Sequence, residues 1–161
     1  METLYYPDWQ LRRILSETNV IAMIGASSNW NRPSYFAMKY LQEKGYRVIP
    51  VNPGIEGQKL LGETVYGTLK SIPFSIEMVD IFQKPERVPS IVDDAIEIGA
   101  NIVWMQLTIR HDESAKKAES AGLQVIMDRC PKIEFGRLSG ELGWGGVNTK
   151  VISSRRSKKI R

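Results

Sequence analysis

Cysteine and histidine are almost absent from this 161-residue chain: Cys130 and His111 are the only examples of each. A lone cysteine excludes an intramolecular disulfide and fits a reducing setting. No Ser-His-Asp order, P-loop, clustered metal ligands or paired-carboxylate signature stands out, so the common sequence marks of hydrolases, nucleotide triphosphatases and metalloenzymes are missing. His111, in "TIRHDESA" at an expected helix start, reads as a capping or solvated residue rather than a catalytic one. No apolar run approaches the roughly 18 residues that a bilayer span requires. The start "METLYYPDWQLRRILSE" also lacks the basic-then-apolar order of a signal peptide. The expectation is a soluble, cytoplasmic, non-enzymatic protein with neither a metal nor a membrane as partner.

The body of the chain also lacks an excess of either charge sign. The net charge is +4, but Arg155, Arg156, Lys158, Lys159 and Arg161 supply five positive charges, leaving 17 basic against 18 acidic residues elsewhere. Nucleic acid is therefore not an expected partner, and residues 151–161 read as a basic, disordered tail. With 42% hydrophobic and 25% charged residues, the rest has the make-up of one globular domain with a single core.

What is present is an alternation of two periodicities. Val20 to Ile24, Arg47 to Val51, Met78 to Phe82, Ile102 to Met105 and Leu123 to Met127 are short apolar runs of the kind buried on both faces of a sheet. Helical segments lie between them. Pro33 opens one that carries Tyr35, Met38 and Leu41 beside Lys39 and Gln42, and Gly45 stops it. Ile91, Ala95, Ile96 and Ile98 mark a second before Gly99. Asp112 is placed to cap a third, with Ala115, Ala118 and Ala121 inward and Gly122 at its end. Asp8 is likewise placed to cap a short leading helix bearing Leu11, Ile14 and Leu15. The segment Ile55 to Ser75, interrupted by Gly57, Gly62, Gly67 and Pro73, reads as a loop with one helical turn near Thr68 to Ser71. After Met127 the chain reads as loop-like, and "SGELGWGGVN" as flexible or as a small edge hairpin. The β-α-β-α order predicts an α/β three-layer fold, with a five-stranded, mainly parallel sheet flanked by helices.

In such sheets ligands collect beyond the carboxyl ends of the strands. Gly25 sits at one such end, where the missing Cβ lets backbone approach a ligand and the following helix start suits an anion. Ser27 and Ser28 add hydroxyls, and Arg32 adds a planar cation that matches phosphate. The dinucleotide fingerprint is incomplete, since Ala26 and Ser27 follow Gly25 and no carboxylate closes the second strand at Val51-Asn52-Pro53. A carboxylate there would repel a ribose phosphate, so its absence suits NADP and coenzyme A alike.

"GASSNWNRPSYFAMKYLQEKGYRVIPVNP", "MVDIFQKPERV", "GANIVWMQL" and "VIMDRCP" together resemble the small stand-alone CoA-binding proteins, which are related to the CoA-binding domain of the succinyl-CoA synthetase alpha subunit. The resemblance runs from about Val20 to Pro131 and implies a Rossmann-like CoA-binding domain over residues 1–150. It implies that Gly25, Ala26, Ser27, Ser28 and Asn29 line the pantetheine and phosphate end of coenzyme A, with Arg32 and Ser34 close by. It places Asn52 and Pro53 at the adenosine portion, and Phe82, Gln83 and Lys84 around the adenine. Phe82 has two readings, stacking on the base or closing the core. Met105 and Gln106 fall beside the pantetheine arm, and Trp104 reads as buried structure. Where the synthetase carries a phosphate-binding lysine this chain has Ile55, which leaves Lys59 or Arg32 to hold the 3′-phosphate.

Cys130 falls near the thiol end, either as an inert buried cysteine or as a partner in a mixed disulfide with the ligand. His111 has no match to the synthetase phosphohistidine. The resulting functional expectation is a non-catalytic CoA or acyl-CoA binding protein, a regulatory or carrier module. An NADP-dependent reductase is the alternative.

Overall fold

The computed structural model describes residues 3–140. The expected basic tail at 151–161 and all but the first two residues of "SGELGWGGVN" lie outside them. Helix α1 (Asp8–Glu17) leads into β1 (Val20–Ile24), α2 (Pro33–Glu43) and β2 (Arg47–Val51). A small hairpin of β3 (Lys59–Leu60) and β4 (Glu63–Thr64) precedes β5 (Met78–Ile81), α3 (Val88–Glu97) and β6 (Ile102–Met105). The described chain ends with α4 (Asp112–Ser120), β7 (Gln124–Ile126) and α5 (Pro131–Ser139).

The five long strands form one sheet in the order β2-β1-β5-β6-β7, and every pairing in it is parallel. This is the expected Rossmann-like three-layer architecture. Strand alternation sends Ile21 and Met23 to the layer of α1, α2 and α5, and Ala22 and Ile24 to the layer of α3 and α4. The chain leaves β1 toward β2, then returns on the far side of β1 through β5. Connections therefore diverge between β1 and β5, directly above Gly25 and Phe82.

Several local expectations are corrected. The stretch after Met127 is not all loop, because Pro131 begins α5 and Gly140, at φ +87°, ends it in the left-handed region. Its inward positions Pro131, Glu134, Phe135 and Leu138 follow helical spacing, but Glu134 and an internal Gly136 hide the stripe from an apolar count. Asp8 does not cap α1. It is the first helical residue, behind Pro7, and its carboxylate meets Arg137 Nη1 at 3.0 Å, tying α1 to α5.

Asp112 does not cap α4 either. His111 does, its Nδ1 accepting from the Ser114 N–H at 3.1 Å, while Asp112 pairs with Arg110. The hydrogen bond from Arg110, with the charges of Arg110 and Lys116, holds the Asp112 carboxyl below its ordinary range. Ala121 is exposed at the C-cap rather than inward. In α3 the buried face is Val88, Val92 and Ala95, leaving Ile91, Ile96 and Ile98 half-buried.

Within the segment read as a loop, the expected turn is present at Leu69–Ser71, capped by Thr68. The hairpin was hidden because its two-residue loop puts Leu61 as well as Gly62 at positive φ (48° and 86°), where Asn or Asp is the usual companion of glycine.

Candidate functional site

The carboxyl edge of the sheet is held open by backbone. Gly25 has φ +91°, its N–H donates to the Val51 carbonyl at 3.0 Å, and a Cβ built on it would run into the Phe82 carbonyl oxygen. Only glycine satisfies both the dihedral and the contact. The Phe82 N–H in turn donates to the Ile24 carbonyl at 2.8 Å, so three strand ends are fastened around this one residue.

The turn that follows is organised by its own side chains. Ser27 Oγ accepts from the Asn29 N–H at 3.0 Å, and Asn29 Oδ1 accepts from the Asn31 N–H at 3.0 Å. Ser28 is exposed beside them and Ala26 is buried. Arg32 is the N-cap position of α2, exposed, with Pro33 behind it as the first helical residue. Ser34 faces inward and is buried. Asn52 fixes the neighbouring loop: its Nδ2 donates to the Ala26 carbonyl at 2.8 Å, and its Oδ1 accepts from the Gly54 N–H at 2.8 Å.

Between the ends of β1, β2 and β5 lies a cleft of about 250 Å³. Its apolar walls are Ile24, Val51, Leu69 and Ile91; its polar rim is Thr68, Gln83, Arg87, Ser90 and Asp94, with Pro53 at the mouth. That volume is below the roughly 300–1,000 Å³ of pockets for drug-sized ligands, so it suits a base or a ribose with the rest of an extended ligand lying along the open edge.

The edge carries unpaired cations, as does the surface elsewhere, where Lys39 and Lys132 also have no carboxylate partner among the described residues. Many cations elsewhere are spoken for: Arg13 by Glu17, Arg47 by Glu63, Lys70 by Glu97 and Asp94, Lys117 by Asp93, and Arg137 by Asp8 and Glu134. Arg32, Lys84 and Arg87, all at the carboxyl edge, have no carboxylate partner among the described residues. Three uncompensated cations around a glycine-held turn are suited to an anion.

The remaining expected site residues divide. Pro53 lines the cleft, and Phe82 is half-buried against the layer of α1, α2 and α5, with Gln83 entering the cleft beside it. Lys84 is exposed at the start of the turn Pro85–Arg87. Lys59 lies on the hairpin, donates to Thr64 Oγ1 at 2.9 Å, and is not part of the cleft lining. The Met105 side chain is wholly buried in the layer of α3 and α4. Gln106 is 8% exposed just beyond β6.

Cys130 is 6% exposed at the N-cap of α5, a burial that favours the inert reading of its thiol. Arg87, Thr68 and Ser90 were not expected in the site. Arg87 entered the sequence reading only as part of the motif "MVDIFQKPERV", and Thr68 only as the start of a helical turn. Thr68 is brought to the cleft by the path of the 53–75 segment, and Arg87 and Ser90 by the turn and first residues of α3 that follow β5. Among the described residues there is no group of three or more His, Cys, Asp or Glu that could hold a metal, and no helix long and apolar enough to cross a membrane.

Comparison with known proteins agrees with this geometry. The curated relative "Uncharacterized protein YneT" of Bacillus subtilis (strain 168) is 32% identical over 124 residues, 77% of this chain and 90% of that one. The solved structure of a hypothetical protein from Pyrococcus horikoshii OT3 superposes with TM-score 0.80 at 40% identity, covering 86% of this chain and 99% of that one. The dinucleotide-forming acetyl-coenzyme A synthetase 1 of Ca. Korarchaeum cryptofilum shares the fold, with TM-score 0.60 at 22% identity over 71% of this chain, which matches 27% of its length. The CoA binding domain profile matches residues 19–136, spanning β1 through most of α5. By that match the chain belongs to the CoA binding domain family.

Proposed function

We propose that this protein binds coenzyme A or an acyl-CoA without transforming it, as a regulatory or carrier module. The observation that carries the reading is the coincidence of the family match over residues 19–136 with a carboxyl edge where Gly25 is pinned against Phe82 and Arg32, Lys84 and Arg87 stand without carboxylate partners. In this reading the cleft beside Pro53 takes the adenosine portion, and Arg87 and Lys84 face its phosphates. The Gly25 turn receives the diphosphate, and the pantetheine arm runs toward Gln106 and Cys130. Coenzyme A would then be held by dispersed electrostatics and backbone rather than by one lysine, consistent with Ile55 at the family's lysine position.

The non-catalytic part of the proposal rests on the two residues best suited to covalent or acid–base work. His111 Nδ1 is engaged in capping α4, and Cys130 is buried at a helix start. Neither lines the nucleotide cleft. NADP reduction is not favoured by any feature beyond the anion-binding character it shares with coenzyme A.

Isothermal titration with coenzyme A, dephospho-CoA and NADP tests the reading. Coenzyme A should bind, dephospho-CoA about tenfold or more weakly through loss of a charge-assisted contact, and NADP more weakly than coenzyme A. Absence of heat with coenzyme A for folded protein overturns it, and release of free thiol from acetyl-CoA on incubation overturns the non-catalytic part.

A further inference from the structure

Buried polar atoms in this chain are generally bonded. Thr18 Oγ1 donates to the Ile14 carbonyl at 2.7 Å, Trp104 Nε1 donates to the Arg129 carbonyl at 2.9 Å, and Glu134 accepts from Arg137 at 2.9 Å. Two side chains break the pattern. Both carboxyl oxygens of Asp80 and Oε1 of Gln106 are sealed from solvent without a hydrogen-bond partner among the described residues. Each such atom costs on the order of 1–3 kcal/mol, and neither is needed to complete secondary structure.

The two side chains belong to one face and one edge. Asp80 lies in register between Met23 of β1 and Trp104 of β6. Its neighbours Val79 and Ile81 point into the layer of α3 and α4, so alternation turns Asp80 to the opposite layer, with Met78 and Trp104. Gln106 stands two residues beyond Trp104. Its N–H donates to the Ile81 carbonyl at 3.2 Å, which continues the pleat and puts its side chain on the same face. The Arg129 N–H donates to the Met105 carbonyl at 3.3 Å, bringing the start of α5 alongside. Asp80 is therefore one pleat below the carboxyl edge and Gln106 at it, on the side where α2 and α5 begin.

Their chemistry restricts what could occupy them. Burial raises the Asp80 carboxyl well above its ordinary range, and in either protonation state the group offers an oxygen that can accept. Gln106 Oε1 offers an acceptor only. A partner for these oxygens must therefore bring donors. Phosphate near neutrality, carboxylate and thioester bring acceptors; a secondary amide brings an N–H donor.

We propose that Asp80 and Gln106 form a buried subsite for the amide-bearing arm of the ligand, their unpartnered oxygens accepting amide N–H groups. The inference rests on the CoA-binding reading, since coenzyme A carries two such amides in its pantetheine arm. It adds a recognition element outside the nucleotide cleft, made by a residue inside the sheet that none of the edge loops contains.

The test is isothermal titration of the full chain with coenzyme A and with adenosine 3′,5′-bisphosphate, which keeps the nucleotide and lacks the arm. Wild type, Asp80→Asn, Asp80→Leu and Gln106→Leu are compared, with thermal melts on each. The wild type should prefer coenzyme A, and that preference should fall about tenfold in Asp80→Leu and in Gln106→Leu, the effect of one unsatisfied hydrogen bond. Asp80→Asn keeps an acceptor oxygen at the same place and should retain most of the preference. Without ligand, Asp80→Leu should melt higher than wild type because an unpartnered polar group has left the interior.

A folded Asp80→Leu or Gln106→Leu with an undiminished preference overturns the subsite and points to resident water instead. If Asp80→Leu does not fold, Gln106→Leu at the edge decides alone. A wild type that binds neither compound removes the CoA-binding reading itself; one that binds both equally removes only the subsite.

Discussion

The two faces of the sheet are built to different standards. Toward α3 and α4 the strands present Ala22, Ile24, Ile49, Val51, Val79, Ile81, Val103, Met105 and Val125, an unbroken aliphatic surface. Toward α1, α2 and α5 they present Ile21, Met23, Val48, Met78, Ile102 and Ile126, but also Trp104 with its bonded indole and Asp80, whose carboxyl has no partner among the described residues. The aromatics Tyr46 and Phe135 pack edge to face on that side, with ring centroids 5.9 Å apart, and the Tyr46 hydroxyl donates to the Leu15 carbonyl. The first face holds the sheet together through area alone. The second combines area with directed contacts and tolerates a defect, and a defect retained in a core is a reason to look for a ligand.

Truncation should separate the faces most strongly. Trp104→Ala is expected to cost about 3–5 kcal/mol, because it removes a wholly buried side chain and orphans the Arg129 carbonyl; Ile81→Ala on the other face should cost about 2–5 kcal/mol. Urea denaturation measures both, and a milder effect at Trp104 than at Ile81 would break the contrast. Gly25→Ala, at the edge between the faces, should lose about 2–4 kcal/mol by combining a left-handed backbone penalty with a collision against the Phe82 carbonyl. The same variant should fail to bind coenzyme A in titration.

The pH response sharpens the comparison further. Asp80 is raised in the folded protein, so between its unfolded and folded values the native state holds a proton that the unfolded state has released. Stability from this group is intact at low pH and falls as pH climbs above about 4, by about 1.4 kcal/mol per pH unit until the folded value is passed. Subtracting the Asp80→Asn stability curve from that of the wild type should isolate this slope, and a flat difference would show that the carboxyl has found a partner. The smallest effect belongs to the other layer, where His111→Ala should cost about 1 kcal/mol through loss of the α4 cap, read by thermal melting.

The β-α alternation was legible because each strand of the main sheet is buried on both faces and so reads as an apolar run. Val20–Ile24, Arg47–Val51 and Ile102–Met105 fall where the pattern puts them. Helix α5 was not, since Glu134 and Gly136 occupy positions where a helical stripe would show apolar residues, and Pro131 with Gly140 was the only cue. The Gly25 turn was legible from a single glycine after a strand, and the family from four motifs in order. The contribution of Arg87 and Thr68 to the cleft was not, because it depends on where the turn after β5 and the 53–75 segment meet across the edge of the sheet. Asp80, inside the apolar run Met78 to Phe82, carries no local mark of its burial, and only the register that seats it between Met23 and Trp104 exposes its isolation.

Asn52 makes a larger difference than one side chain suggests. Its amide grips the Ala26 carbonyl while its own N–H donates to the Tyr66 carbonyl at 2.9 Å, so the turn after β1 and the strand-like return behind the hairpin share one mechanical bracket. Pressure applied to either segment is handed to the other without crossing the sheet. A displacement of the Gly25 turn therefore bears first on Tyr66, just behind the hairpin.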